Sequence, residues 1–116
     1  MEMNIVQESE SHGTIQMIGQ FWERKDFVLF HEQVQALLEK GVVRIIVDLS
    51  RVTFISSQGL GLLVKVFSEV KENKGELLLF KPTGCVGEVI EISGLDLSMK
   101  IISSDKELAS YTAQEE

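Results

Sequence analysis

An α/β fold built on a mixed sheet is the expectation for this 116-residue chain, and three observations carry it. Residues 42–49 (VVRIIVDL) and 76–80 (ELLLF) are almost wholly apolar and rich in branched side chains, the pattern of strands buried on both faces. Two other stretches place apolar residues every three or four positions, as one face of a helix does. Near the start, Thr14-Ile15-Gln16-Met17 alternates polar and apolar, as a half-buried strand should.

The elements follow in order. Residues 3–8 and 14–19 flank the polar turn SESHG and read as a hairpin, with Ser11 and Gly13 supplying turn chemistry. Residues 19–22 (GQFW) form a connection. Asp26 is placed to cap a helix over residues 27–40. Phe27, Phe30, Val34, Leu37 and Leu38 share one face of it, and Gly41 sits where a terminating glycine belongs. The strand at 42–49 ends at Asp48-Leu49, and residues 50–55 (SRVTFI) form a short link.

A second helix opens at Ser57, carries Leu60, Leu63, Val64, Phe67 and Val70 as its stripe, and closes at residues 74 and 75. The strand at 76–80 is ended by Pro82. Residues 85–93 make a short helix with Val86, Val89 and Ile90, stopped at Ser93-Gly94. Residues 100–102 are a last short strand, and Ser104 with Glu107 matches a capping box that opens a short final helix. The order is β-β-α-β-α-β-α-β-α. The strands at 42–49 and 76–80, joined by a helix, imply a parallel right-handed crossover. At roughly 100–200 residues per domain, 1–116 is one domain, with mobile polar ends expected at about 1–2 and 112–116.

Composition narrows the function. Eighteen acidic against eleven basic residues give a net charge of −7, which argues against nucleic acid as a partner. The lone Cys85 cannot form an internal disulfide, and with only His12 and His31 elsewhere a metal site is not expected. The first residues lack the charge and apolar segment of a signal peptide, and the longest apolar run, 59–64, is far short of the ~20 residues that span a bilayer. A cytoplasmic protein without direct membrane insertion is expected. No phosphate-cradling loop and no nucleophile elbow occurs, so neither a cofactor nor an enzyme is expected. His12 and His31 read as solvated surface residues, Asp48 as a turn-former, and Cys85 as a small buried hydrophobe.

The stretch Phe54-Ile55-Ser56-Ser57-Gln58-Gly59-Leu60-Gly61 lies between the central strand and the second helix, at the carboxyl end of the sheet. Ser57 is well placed as the N-cap. On one reading these serines only cap the helix, and the glycines let it pack closely. On the other, the exposed amides and partial positive charge of the helix start make it a place for an anion, including a phosphate on serine itself.

The chain resembles the STAS domain of bacterial anti-sigma factor antagonists. The likeness runs over nearly all of it, and is carried by the Gly19-Gln20-Phe21 turn, the strand ending Asp48-Leu49-Ser50, the helix start Gly59-Leu60-Gly61, and Ile92-Ser93-Gly94-Leu95 before the last strand. The most specific part is the family's Asp-Ser-Ser/Thr-Gly-Leu-Gly signature, in which Ser57 falls on the phosphorylated serine. Ser56 stands where the family usually has Asp, and Gln58 where it has a hydroxyl residue. Trp22 stands near the place of an acidic residue.

The resemblance implies a partner switch. The unphosphorylated domain binds an anti-sigma factor that is also a serine protein kinase, and a sigma factor is released. Phosphorylation of Ser57 breaks the complex, and a PP2C-type phosphatase restores it. Ser56, Ser57, Gln58, Gly59, Leu60, Lys65 and Trp22 are the expected partner contacts. Trp22 is equally placed to cover the end of the core. The chain itself is expected to be a monomer or weak dimer. A second reading is a non-phosphorylated STAS scaffold or subunit, for example of a transporter or sensor complex, with Ser57 a cap only. A third, a small hydrolase using Ser57 as nucleophile, lacks an adjacent base.

Overall fold

The structure is a computed structural model that describes residues 1–113, with the side chains of Asp96 and of residues 110–113 excepted. Of the polar tail expected at 112–116, residues 114–116 lie outside the described residues. Five strands and four helices follow in the expected alternation: β1 (Glu2–Gln7), β2 (His12–Phe21), α1 (Arg24–Glu39), β3 (Arg44–Ile55), α2 (Ser57–Glu72), β4 (Glu76–Phe80), α3 (Gly84–Ser93), β5 (Lys100–Ile102) and α4 (Asp105–Ala113). A single 3-10 turn at Leu95–Leu97 joins α3 to β5. The sheet order is β1-β2-β3-β4-β5, with β1 antiparallel to β2 and all later pairs parallel.

That order explains the layering. Each crossover steps to the next strand in the same direction, so right-handed connections place α1, α2 and α3 on one face. Their inward residues, Phe30, Val34, Leu37, Leu63, Val66, Val70, Val86 and Ile90, share one core with Ile45, Val47, Leu77 and Leu79. The opposite face buries Ile46, Leu78, Phe80 and Ile102 against Leu108 of α4. Successive residues of β3 thus enter different cores, which is why its sequence is a run and not an alternation.

Two local expectations hold. Gly41 follows α1 at φ +87°, a left-handed conformation that glycine adopts without strain. Ser104 Oγ accepts from Glu107 N–H at 3.1 Å, while Glu107 Oε1 accepts from Ser103 N–H at 3.0 Å. Among the described residues, no group of three or more His, Cys, Asp or Glu could hold a metal. No described helix is long and apolar enough to cross a membrane.

Other expectations are corrected. β3 does not end at 49; it runs to Ile55 and absorbs the expected link. Two register shifts against β2, between Gln16 and Ile18 and between Gly19 and Gln20, let the ladder continue through this polar stretch. Asp48 therefore lies within β3, where Oδ1 accepts from Ser50 N–H at 2.9 Å and Ser50 Oγ at 2.7 Å. β2 likewise continues through Phe21, into the expected connection.

Asp26 is not a cap. α1 starts at Arg24 behind an extended Glu23, and Asp26 is buried in the first turn, where a carboxylate suits the helix dipole. The polar Arg24 and Lys25 lie off the apolar stripe, so periodicity misses this turn. His12 is buried at the opening of β2 beside Arg44, because the strand begins two residues before the alternating run. His31 is half-buried between α1 and α2, with Nε2 2.8 Å from Glu69 Oε1. Val64 is exposed and Val66 takes its place in the core. Cys85 is also exposed, one position off the Val86–Ile90 stripe, and its thiol donates to Thr53 C=O at 3.1 Å.

Candidate functional site

The carboxyl ends of β2 and β3 are tied together beneath the start of α2. Phe21, the last residue of β2, is fully buried and meets Phe27 and Phe30 edge-on at 5.1 and 5.6 Å between centroids. Its carbonyl accepts from Ser56 N–H at 3.1 Å, which fixes the residue where β3 turns into α2. Gly59 completes the contact. A Cβ there would lie 2.9 Å from both the ring and the carbonyl oxygen of Phe21 and 3.1 Å from Ile55. Only glycine lets the helix approach so closely, and this approach sets its rotational phase. With Gly59 inward, the buried stripe is Gly59, Leu63, Val66, Val70, and Leu60 and Phe67 become its half-buried flanks.

The two serines divide the work. Ser56, not Ser57, is the N-cap: its backbone is extended (φ −81°, ψ 166°) and its Oγ accepts from Gly59 N–H at 3.0 Å. The cap is the last non-helical residue, and β3 delivers Ser56 to that position by ending at Ile55. Ser57 is the first helical residue and is exposed, and no described residue hydrogen-bonds its hydroxyl. Its amide belongs to the first turn, where α-helix geometry supplies no internal acceptor. The Ser57 side chain therefore sits against a positive helix end without being spent on it.

The other expected residues are distributed around this point. Gln58 is exposed, and Lys65 is exposed two turns along α2 from Ser57. Gly59 is buried beneath Phe21 and acts by placing the helix, not by touching a partner. Trp22 is 51% exposed while Phe21 beside it closes the core, so Trp22 is not needed as a cover. Phe54, part of the 54–61 stretch but not one of the expected individual contacts, is 44% exposed next to Ile55 and Ser56. The β3 extension is what presents it: Phe54 sits in register with Gln20, two residues before Trp22. Trp22 and Phe54 thus leave neighbouring strand ends as two exposed aromatic side chains near the α2 start. Two open grooves, of about 440 and 310 Å³, are lined by residues outside the 54–61 stretch.

Comparison with known proteins agrees with this architecture. A relative from Bordetella bronchiseptica, BtrV, provisionally described as an anti-sigma factor antagonist, is 36% identical over 77 residues. That match covers 66% of this chain and 66% of the relative's length. The Bacillus cell fate determinant SpoIIAA, an anti-sigma factor antagonist, superposes in its unphosphorylated form with a TM-score of 0.76 at 17% identity, over 97% of this chain and 98% of its own. Its phosphorylated form gives 0.75 at 19% identity, over 96% and 99%. The fold also occurs within the murine anion transporter Solute Carrier 26 family member A9, with a TM-score of 0.72 at 19% identity, covering 95% of this chain and 19% of the transporter. The STAS domain profile matches residues 25–108, which hold β3, β4, β5 and the three helices of the main layer, and the chain belongs to the STAS domain family.

Proposed function

We propose that this protein is an anti-sigma factor antagonist whose unphosphorylated form binds an anti-sigma factor with serine kinase activity, and that phosphorylation of Ser57 ends the binding. The observation that carries the reading is the exposed Ser57 hydroxyl, left free because Ser56 caps the helix. Ser56 also accounts for the departure from the family signature: Ser and Asp are equally good N-caps. A serine cap does so without a carboxylate beside the phosphate.

The switch follows from electrostatics. Phosphorylation adds roughly −1.5 to −2 charges at pH 7. At a helix N-terminus that charge is stabilised within its own domain by ~0.3–1 kcal/mol, so the fold persists. The effect falls on the partner, which must bury or clear a doubly charged group. Each tenfold loss of affinity corresponds to about 1.4 kcal/mol, and an unpaired buried phosphate supplies several times that. Trp22, Phe54, Gln58, Leu60 and Lys65 form the rest of the docking surface, with the exposed aromatics as its anchors. A PP2C-type phosphatase resets the state.

Calorimetric titration of the cognate kinase with Ser57→Ala and Ser57→Asp tests this. The Ala form binds as the unmodified protein does, and the Asp form binds at least about tenfold more weakly, about 1.4 kcal/mol. Equal binding by both forms would instead make the protein a STAS subunit whose docking is not switched.

A further inference from the structure

We infer that Gly61 is the access determinant for Ser57: a bare position one turn along α2 that keeps the hydroxyl open to the kinase's active site. The inference rests on Ser57 being the phosphoacceptor. The two glycines at the α2 start differ in kind. Gly59 is dictated by packing, since a Cβ there would press on Phe21 at 2.9 Å. A Cβ on Gly61 would meet nothing within 4 Å, and its backbone is not left-handed. It is also exposed inside a helix, where glycine is disfavoured relative to alanine. Nothing among the described residues calls for glycine at 61.

Its place on the helix does. Ser57, Gly61, Lys65 and Ser68 are all exposed and spaced by four, four and three residues, so they line one face. Helical side chains lean toward the N-terminus and cover the turn before their own Cα. A side chain at 61 would therefore stand on the approach to Ser57, and one longer than alanine's would lean toward it. Phosphoryl transfer needs that space. Ser57 Oγ must bond to the γ-phosphorus of ATP held by the kinase while the bond to the β–γ bridging oxygen breaks; ADP leaves, and the hydroxyl proton passes to a base of the kinase.

The test is a graded series, Gly61→Ala and Gly61→Leu, assayed for kcat/KM of phosphorylation by the cognate kinase and for thermal stability. Both variants raise the unfolding midpoint by about 2–5 °C, because each is a better helix former than glycine. Phosphorylation falls stepwise, severalfold for Ala and at least about tenfold for Leu. Variants phosphorylated at the wild-type rate would overturn the inference, as would a fall in the midpoint, which would give Gly61 an internal role. An unmodified protein that the kinase neither binds nor phosphorylates would overturn the antagonist reading first, and this inference with it.

Discussion

α2 and α3 both begin where a parallel strand delivers the chain to the same end of the sheet, yet the two junctions are built differently. At α2 the cap is satisfied by Ser56 Oγ, the preceding amide is tied to Phe21 C=O, and Gly59 presses the first turn onto a buried aromatic cluster. At α3 the N-cap residue Thr83 makes no side-chain cap bond. Lys81 on the approach has φ +50° and Gly84, the first residue of α3, has φ +57°, both left-handed. For lysine that conformation is uncommon and carries strain. The α2 start is thus held from beneath, by strand ends and packing, and its outward hydroxyl at Ser57 is surplus to the fold. The α3 start is not held that way: its exposed Thr83 hydroxyl caps nothing, and Cys85, its exposed first-turn side chain, is engaged with Thr53 C=O. A modifiable side chain at a helix start needs an underlying structure that does not depend on it.

Substitutions at the two junctions put that contrast to measurement. Gly59→Ala has the largest effect on folding. The added methyl overlaps Phe21 and Ile55, so a loss of ~1–3 kcal/mol in denaturant unfolding is expected. A stability within ~0.5 kcal/mol of wild type would show that the close approach is not needed. Ser56→Ala removes a cap and costs ~1 kcal/mol. Thr83→Ala removes none and costs only a few tenths, which is the ordinary range for a surface change. If Thr83→Ala proved as costly as Ser56→Ala, the distinction between the two junctions would collapse.

Much of this was legible in the sequence, and the rest was hidden for identifiable reasons. The run VVRIIVDL announces a central strand because both faces of β3 are buried, and the spacing of Phe30, Val34 and Leu37 announces α1. The Ser104 and Glu107 pair announces α4, because a reciprocal cap involves only residues close in sequence. The choice between Ser56 and Ser57 as cap was not legible. Both are good caps, and the decision rests on where β3 ends, which two register shifts against β2 displace by six residues from the end of the apolar run. The exchange of Val64 for Val66 has the same root: the phase of α2 is set by Gly59 against Phe21, a contact between distant residues in which the glycine adds nothing to an apolar pattern. His12 and Cys85 were misplaced because their burial depends on the neighbouring strand or helix start and not on their own surroundings in the chain.

The central claim is that adjacent serines have separate tasks, Ser56 holding the helix and Ser57 receiving the phosphate. The most direct test is to treat the protein with its cognate kinase and ATP, and to localise the phosphate by fragmentation mass spectrometry. The account predicts modification at Ser57 alone, retained in full when Ser56→Ala lowers stability and abolished by Ser57→Ala. Phosphate on Ser56, or persistence of labelling in Ser57→Ala, would contradict it.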